Sequence, residues 1–134
     1  MFQQPHYLAL FLIGSTSSAA SPALAPCWSD HASSQRTHEY SICVSEDADT
    51  SLNTAYRELK EKVLDDYKAD PERGKKLLEH IKKSQRLWIN LREENCAIES
   101  FVISPSAQAF DTTRNFCLAR ESTERTRYLQ SLRF

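Results

Sequence analysis

The chain has 134 residues, 40% of them hydrophobic, which suits one domain with a modest core. Its 17 basic and 18 acidic residues leave a net charge of −1, so nothing global draws it to nucleic acid or to an anionic membrane surface. Two glycines are too few for a turn-rich sandwich or barrel, and the composition leans to an all-α fold.

In chain order, the first 25 residues contain no Lys, Arg, Asp or Glu. Residues 7–13 (YLALFLI) form an apolar run, and residues 14–25 are small and end in Ala23-Leu24-Ala25. The run is too short to cross a bilayer, while the small-residue tail suits a signal peptidase. Residues 1–25 are therefore expected to be a signal peptide and residues 26–134 the mature domain, periplasmic or secreted. Pro26 after Ala25 keeps Ala20 open as an alternative cleavage point.

Four cysteines follow: Cys27, Cys43, Cys96 and Cys117. An even count in a short exported chain reads as two disulfides, with three connectivities open. The sequential pairs, Cys27 with Cys43 and Cys96 with Cys117, are the expected ones. Each closes a loop of roughly 15–20 residues and contributes about 3 kcal/mol on chain-entropy reasoning. No cysteine pair has C-x-x-C spacing, which argues against zinc and thioredoxin chemistry.

Residues 27–45 are polar, with a short helix expected near residues 34–43. His31 and His38 lie seven apart without a third ligand, so solvated histidines are expected and no metal site. The first long helix is expected over residues 46–69, with Glu46, Asp47 and Asp49 at its dipole-favoured start. Leu52, Tyr56, Leu59, Val63 and Tyr67 give it an apolar stripe. Asn53 is expected near the interior with a satisfied polar contact.

Asp70-Pro71-Glu72 reads as a helix start, with Asp as cap and Pro at the first position. The second helix should run from Pro71 to about residues 99–101, burying Leu77 or Leu78, Ile81, Gln85, Trp88, Arg92 and Cys96. Its basic first half reads as a solvated face, since acidic residues are interspersed and no aromatic platform accompanies it. Residues 104–113 form a loop, with Phe101, Val102, Ile103 and Phe110 expected to pack over the helix ends. Asp111, Thr112 and Thr113 should cap a third helix over residues 113–132. Its inner face would be Leu118, Ser122, Arg125, Leu129 and Leu132.

The resulting fold class is a small disulfide-bonded helical bundle built on a long antiparallel helix hairpin. Trp88 and Tyr56 are its expected core anchors. Asp49, Asn53, Gln85, Arg92 and Arg125 are polar residues on faces otherwise committed to the core, and they are expected to form a structural network. The chain has no G-x-S-x-G elbow and no P-loop, and its cysteines are expected to be oxidised. Neither an enzyme nor a cofactor is expected.

The segments Asp49-x-x-Leu52-Asn53-x-x-Tyr56, Gln85-Arg86-x-Trp88-Ile89-x-x-Arg92-x-x-x-Cys96 and Cys117-Leu118, followed by Arg125-Thr126 and Leu129, resemble the LprI-like family. These are small exported bacterial helical domains named for a lysozyme inhibitor. The chain departs from the pattern in carrying Glu93 where Asp is common and in lacking glycines after Cys96. The resemblance implies an exported binding protein whose candidate partner is a lysozyme. The alternative is an envelope or secretion-associated interaction protein. Nucleic acid and a membrane span are not expected, and the sequence does not indicate an oligomeric state.

Overall fold

Helix α1 (Ser34–Asp66) begins where the Ser33 hydroxyl accepts the Arg36 amide at 3.3 Å, and it continues unbroken for 33 residues. The computed structural model describes Cys27 and residues 33–134. The expected signal peptide and His31 lie outside the described residues.

The break expected between residues 43 and 46 does not occur. Ser41, Ala48, Leu52, Ala55, Leu59 and Val63 form one continuous buried stripe along α1. Its first members are Ser and Ala, which carry little hydropathy signal, and no Pro or Gly interrupts the run. Glu46, Asp47 and Asp49 consequently lie in mid-helix, away from the dipole-favoured end. Asn53 is exposed, contrary to expectation, because Leu52 and Ala55 take the inward positions around it.

Helix α2 (Pro71–Ser100) starts as its sequence dictates. The Asp70 carboxylate accepts the Arg73 amide at 3.2 Å, and Pro71 occupies the first turn. The connection from α1 is tight because residue 74 is glycine. A Cβ on Gly74 would lie 3.0 Å from the Tyr67 Cβ, so a side chain there would push the two helices apart.

Helix α3 (Gln108–Ser131) begins five residues before the expected Thr113. Ala107 starts it without a side-chain cap, and Asp111, Thr112 and Thr113 all lie inside it. The Thr112 hydroxyl bonds back to the Gln108 carbonyl at 2.9 Å, as helical threonines do, and so is not available for capping. Asp111 remains in the first turn, where the dipole favours it.

Contacts from Gln35 to Gln108, Ser41 to Asn115 and Asp49 to Ser122 run in step, so α1 and α3 are parallel. Helix α2 runs antiparallel to α3, through Cys96 to Cys117 and Gln85 to Arg125. The bundle is all-α with an up-down-up course, and its closest packing is between α1 and α3.

The apolar core lies toward the α1–α2 turn. Leu52, Ala55, Leu59, Val63, Ile81 and Leu129 are buried there, with Tyr56, Tyr67, Leu77, Leu78, Trp88 and Leu132 packed around them. Each fully buried Leu, Ile or Val contributes about 1.5–3 kcal/mol. The other half of the bundle is held differently, by the disulfides and by the buried hydroxyls of Ser41, Ser100 and Ser122.

Candidate functional site

All but Asn53 of the polar residues singled out in the sequence fall into two sets on either side of Trp88 along the bundle. In the first, one residue from each helix meets at a point. Arg92 Nη1 on α2 donates to Asp49 Oδ1 on α1 at 2.7 Å and to Ser122 Oγ on α3 at 2.8 Å. The Ser122 hydroxyl in turn donates to the same Asp49 oxygen at 2.8 Å, closing a triangle. Arg92 Nη2 donates to Glu93 at 3.0 Å, and Glu93 also pairs with Arg114 of α3. The Arg92 side chain is 12% exposed while that of Asp49 is 47% exposed, so the cation is dry and its carboxylate half wet.

The second set centres on Arg125 of α3. Its Nε donates to the buried Gln85 carbonyl oxygen at 3.0 Å and its Nη2 donates to Ser84 at 2.8 Å. Burial pushes the Arg125 guanidinium below its ordinary range, and Tyr128 acts in the opposite direction. Arg125 therefore does not join Asp49, although one network of Asp49, Arg92 and Arg125 is expected from the sequence. The two sets are linked through the Trp88 ring, whose centroid lies 5.2 Å from the Arg92 guanidinium carbon and 5.5 Å from that of Arg125. These are cation–π distances. Trp88 thus sits where the two guanidiniums converge, at half-burial.

Tyr56 is half-buried against the core, with the Lys60 ammonium 4.7 Å from its ring. Asn53 joins neither set. Sequence reasoning missed Ser122 as a network member, along with Ser84, Glu93 and Arg114. Ser122 was visible as a polar residue on an inward stripe, but a serine on a helix carries no sign of its partner. His38, expected to be solvated, is half-buried with Nδ1 2.9 Å from the Thr112 hydroxyl.

The chemistry of these groups is that of a clasp. Asp49 and Glu93 each accept from a guanidinium, which holds them as ion-pair acceptors. The carboxylates of Glu99 and Glu121 and the Cys117 sulfur also cluster. That cluster already holds a cation, because Arg120 pairs with both glutamates and Cys117 is bonded to Cys96. Glu99 holds the Arg120 guanidinium above its ordinary range.

Surface features lie elsewhere. The loop after α2 is fixed at its base by the Cys96–Cys117 disulfide and by the Ile103 amide, which donates to the Ser100 carbonyl at 3.0 Å. From this base Phe101 and Val102 project, 83% and 91% exposed, instead of packing over the helix ends as expected. Ile103 and Phe110 are half-buried behind them. On another side, a groove of about 540 Å³ between α1 and α3 is lined by small and charged residues, among them Asp47, Ser51, Arg120 and Arg127.

A three-helix, doubly disulfide-bonded bundle with a tryptophan between two arginines defines a class of small helical domains. The chain belongs to the LprI family, described as lysozyme inhibitor LprI, whose pattern matches residues 27–129. It is also similar to the crystal structure of a DUF1311 family protein from Pseudomonas putida KT2440. The TM-score is 0.67 at 29% sequence identity, covering 75% of this chain and 93% of that one. No curated protein matches the chain. No helix among the described residues is long and apolar enough to cross a membrane.

Proposed function

We propose that this protein is an exported, non-enzymatic binding protein that inhibits a lysozyme by inserting the Phe101–Val102 end of the bundle into the enzyme's cleft. The observation that carries the reading is the family match, which spans both disulfides and all three helices. The geometry supports it at one place. A lysozyme cleft holds one of its two carboxyl groups in an apolar pocket, and a convex apolar wedge on a rigid base has the shape to enter that pocket. Phe101 and Val102 form such a wedge, and the Cys96–Cys117 bridge limits the ordering entropy lost on docking. Two disulfides suit an oxidising compartment, in keeping with residues 1–25 acting as a signal peptide.

A lysis assay with the purified mature protein and several lysozyme types tests the proposal. Inhibition that is lost in a Phe101→Ser, Val102→Ser double variant with unchanged helicity supports it. Full activity of every lysozyme at a large excess of the protein overturns it.

A bacterial envelope partner is the second reading. It is favoured by the net charge of −1, which gives little steering toward a cationic enzyme. Recovery of an envelope protein from periplasm on the immobilised mature chain, with no retention of lysozyme, would select it.

A further inference from the structure

Helix α2 faces the bundle with Ile81, Gln85, Trp88, Arg92 and Cys96, and about a third of a turn round from that face it carries a second apolar stripe. Leu87, Leu91 and Ile98 follow at helical steps of four and seven and are 61%, 58% and 71% exposed. One face of a helix that packs on its other face alone is an unpartnered surface.

The charges along α2 indicate what fits it. Before Leu87 the helix carries Arg73, Lys75, Lys76, Lys82, Lys83 and Arg86 against Glu72 and Glu79. After Leu87 it carries Glu94, besides Glu93 and Glu99, which are paired within the chain with Arg92, Arg114 and Arg120. The helix is thus basic in its first half, with Glu94 the acidic group left over in its second, and the apolar stripe begins at the change with Lys83 before it and Glu94 within it. A surface of this kind is complementary to itself when turned end for end.

We infer that α2 pairs with α2 of a second copy of this chain, antiparallel and about a two-fold axis near Ile89. In that register Leu87 of each copy meets Leu91 of the other, and Ile98 meets His80. Glu94 meets Lys83, once on each side of the axis. Among the described residues neither Lys83 nor Glu94 has an ion-pair partner within its own chain, so both are free for the second copy. The inference does not depend on lysozyme binding, and the Phe101–Val102 wedge lies beyond the end of the paired stripe.

Sedimentation of the mature chain over a concentration series tests the pairing. The parent protein forms a dimer whose affinity falls with added salt. Lys83→Glu and Glu94→Lys, both at exposed positions, each place like charges at two symmetric contacts and weaken association by about tenfold or more. Mixing the two variants restores both contacts and gives a heterodimer of near-parental affinity. Leu91→Glu abolishes the dimer with helicity unchanged. A parent that stays monomeric up to about 0.5 mM, where even a weak complex is populated, would overturn the inference. So would single variants that dimerise like the parent, or a mixture that stays monomeric.

Discussion

Arg92 and Asp49, 43 residues apart, meet at 2.7 Å with Ser122 bonded to both, so a single guanidinium ties all three helices together. The exposure of the pair is uneven, and that unevenness decides what each substitution does. Arg92→Met leaves the Ser122 oxygen without its donor and Asp49 with the Ser122 hydroxyl alone, and it removes a cation held over Trp88. Its expected cost is about 2–4 kcal/mol, from the hydrogen bonds to Asp49, Ser122 and Glu93 and the cation–π contact that are lost together. Asp49→Asn keeps an acceptor for Arg92, whose buried charge Glu93 still balances, and should cost only about 1 kcal/mol. Urea unfolding of both variants checks the order, with Arg92→Met the larger loss.

The tight turn between α1 and α2 depends on the missing side chain at Gly74. Gly74→Val brings branched carbon against Tyr67 where a Cβ alone would already stand at 3.0 Å. The expected loss is about 1–3 kcal/mol from overpacking, despite the low helix propensity of the glycine it replaces. Thermal unfolding should show a lower midpoint for this variant than for a substitution at exposed Lys76 nearby.

Much of this framework is legible from the sequence, and the misreadings share a physical cause. Asp70-Pro71 marks the start of α2 because a cap and a fixed φ are local properties of the chain. The apolar stripe from Leu52 to Val63 is equally local. The length of α1 is not legible in the same way. Its first turns bury Ser41 and Ala48, whose inward position is set by α3 packing against them and not by their own hydropathy. The caps expected at Asp111, Thr112 and Thr113 failed because α3 starts at Gln108 and encloses all three, with Thr112 bonded back to the Gln108 carbonyl. The partner of Arg92 can be anticipated as Asp49, but the third member, Ser122, depends on the parallel course of α1 and α3.

Asn53 provides a direct check on that lesson. Its exposure predicts that Asn53→Ala changes stability by less than about 0.5 kcal/mol, whereas an interior, hydrogen-bonded asparagine would cost more. Denaturant midpoints of the two proteins should coincide.

Removing the Cys96–Cys117 bridge in a Cys96→Ala, Cys117→Ala variant should cost about 2–4 kcal/mol, since it releases a loop with a sequence separation of 21. The half of the bundle it serves has few buried apolar side chains to compensate. Amide exchange should rise first in residues 93–120 and leave the core around Val63 protected.

The central claim is that the Phe101–Val102 end occupies a lysozyme cleft. It is tested most directly by measuring lysozyme binding with the cleft empty and with the cleft filled by an N-acetylglucosamine oligosaccharide. Binding that disappears when the oligosaccharide is present is the predicted result. Binding of equal affinity in both conditions, or none in either, would contradict it.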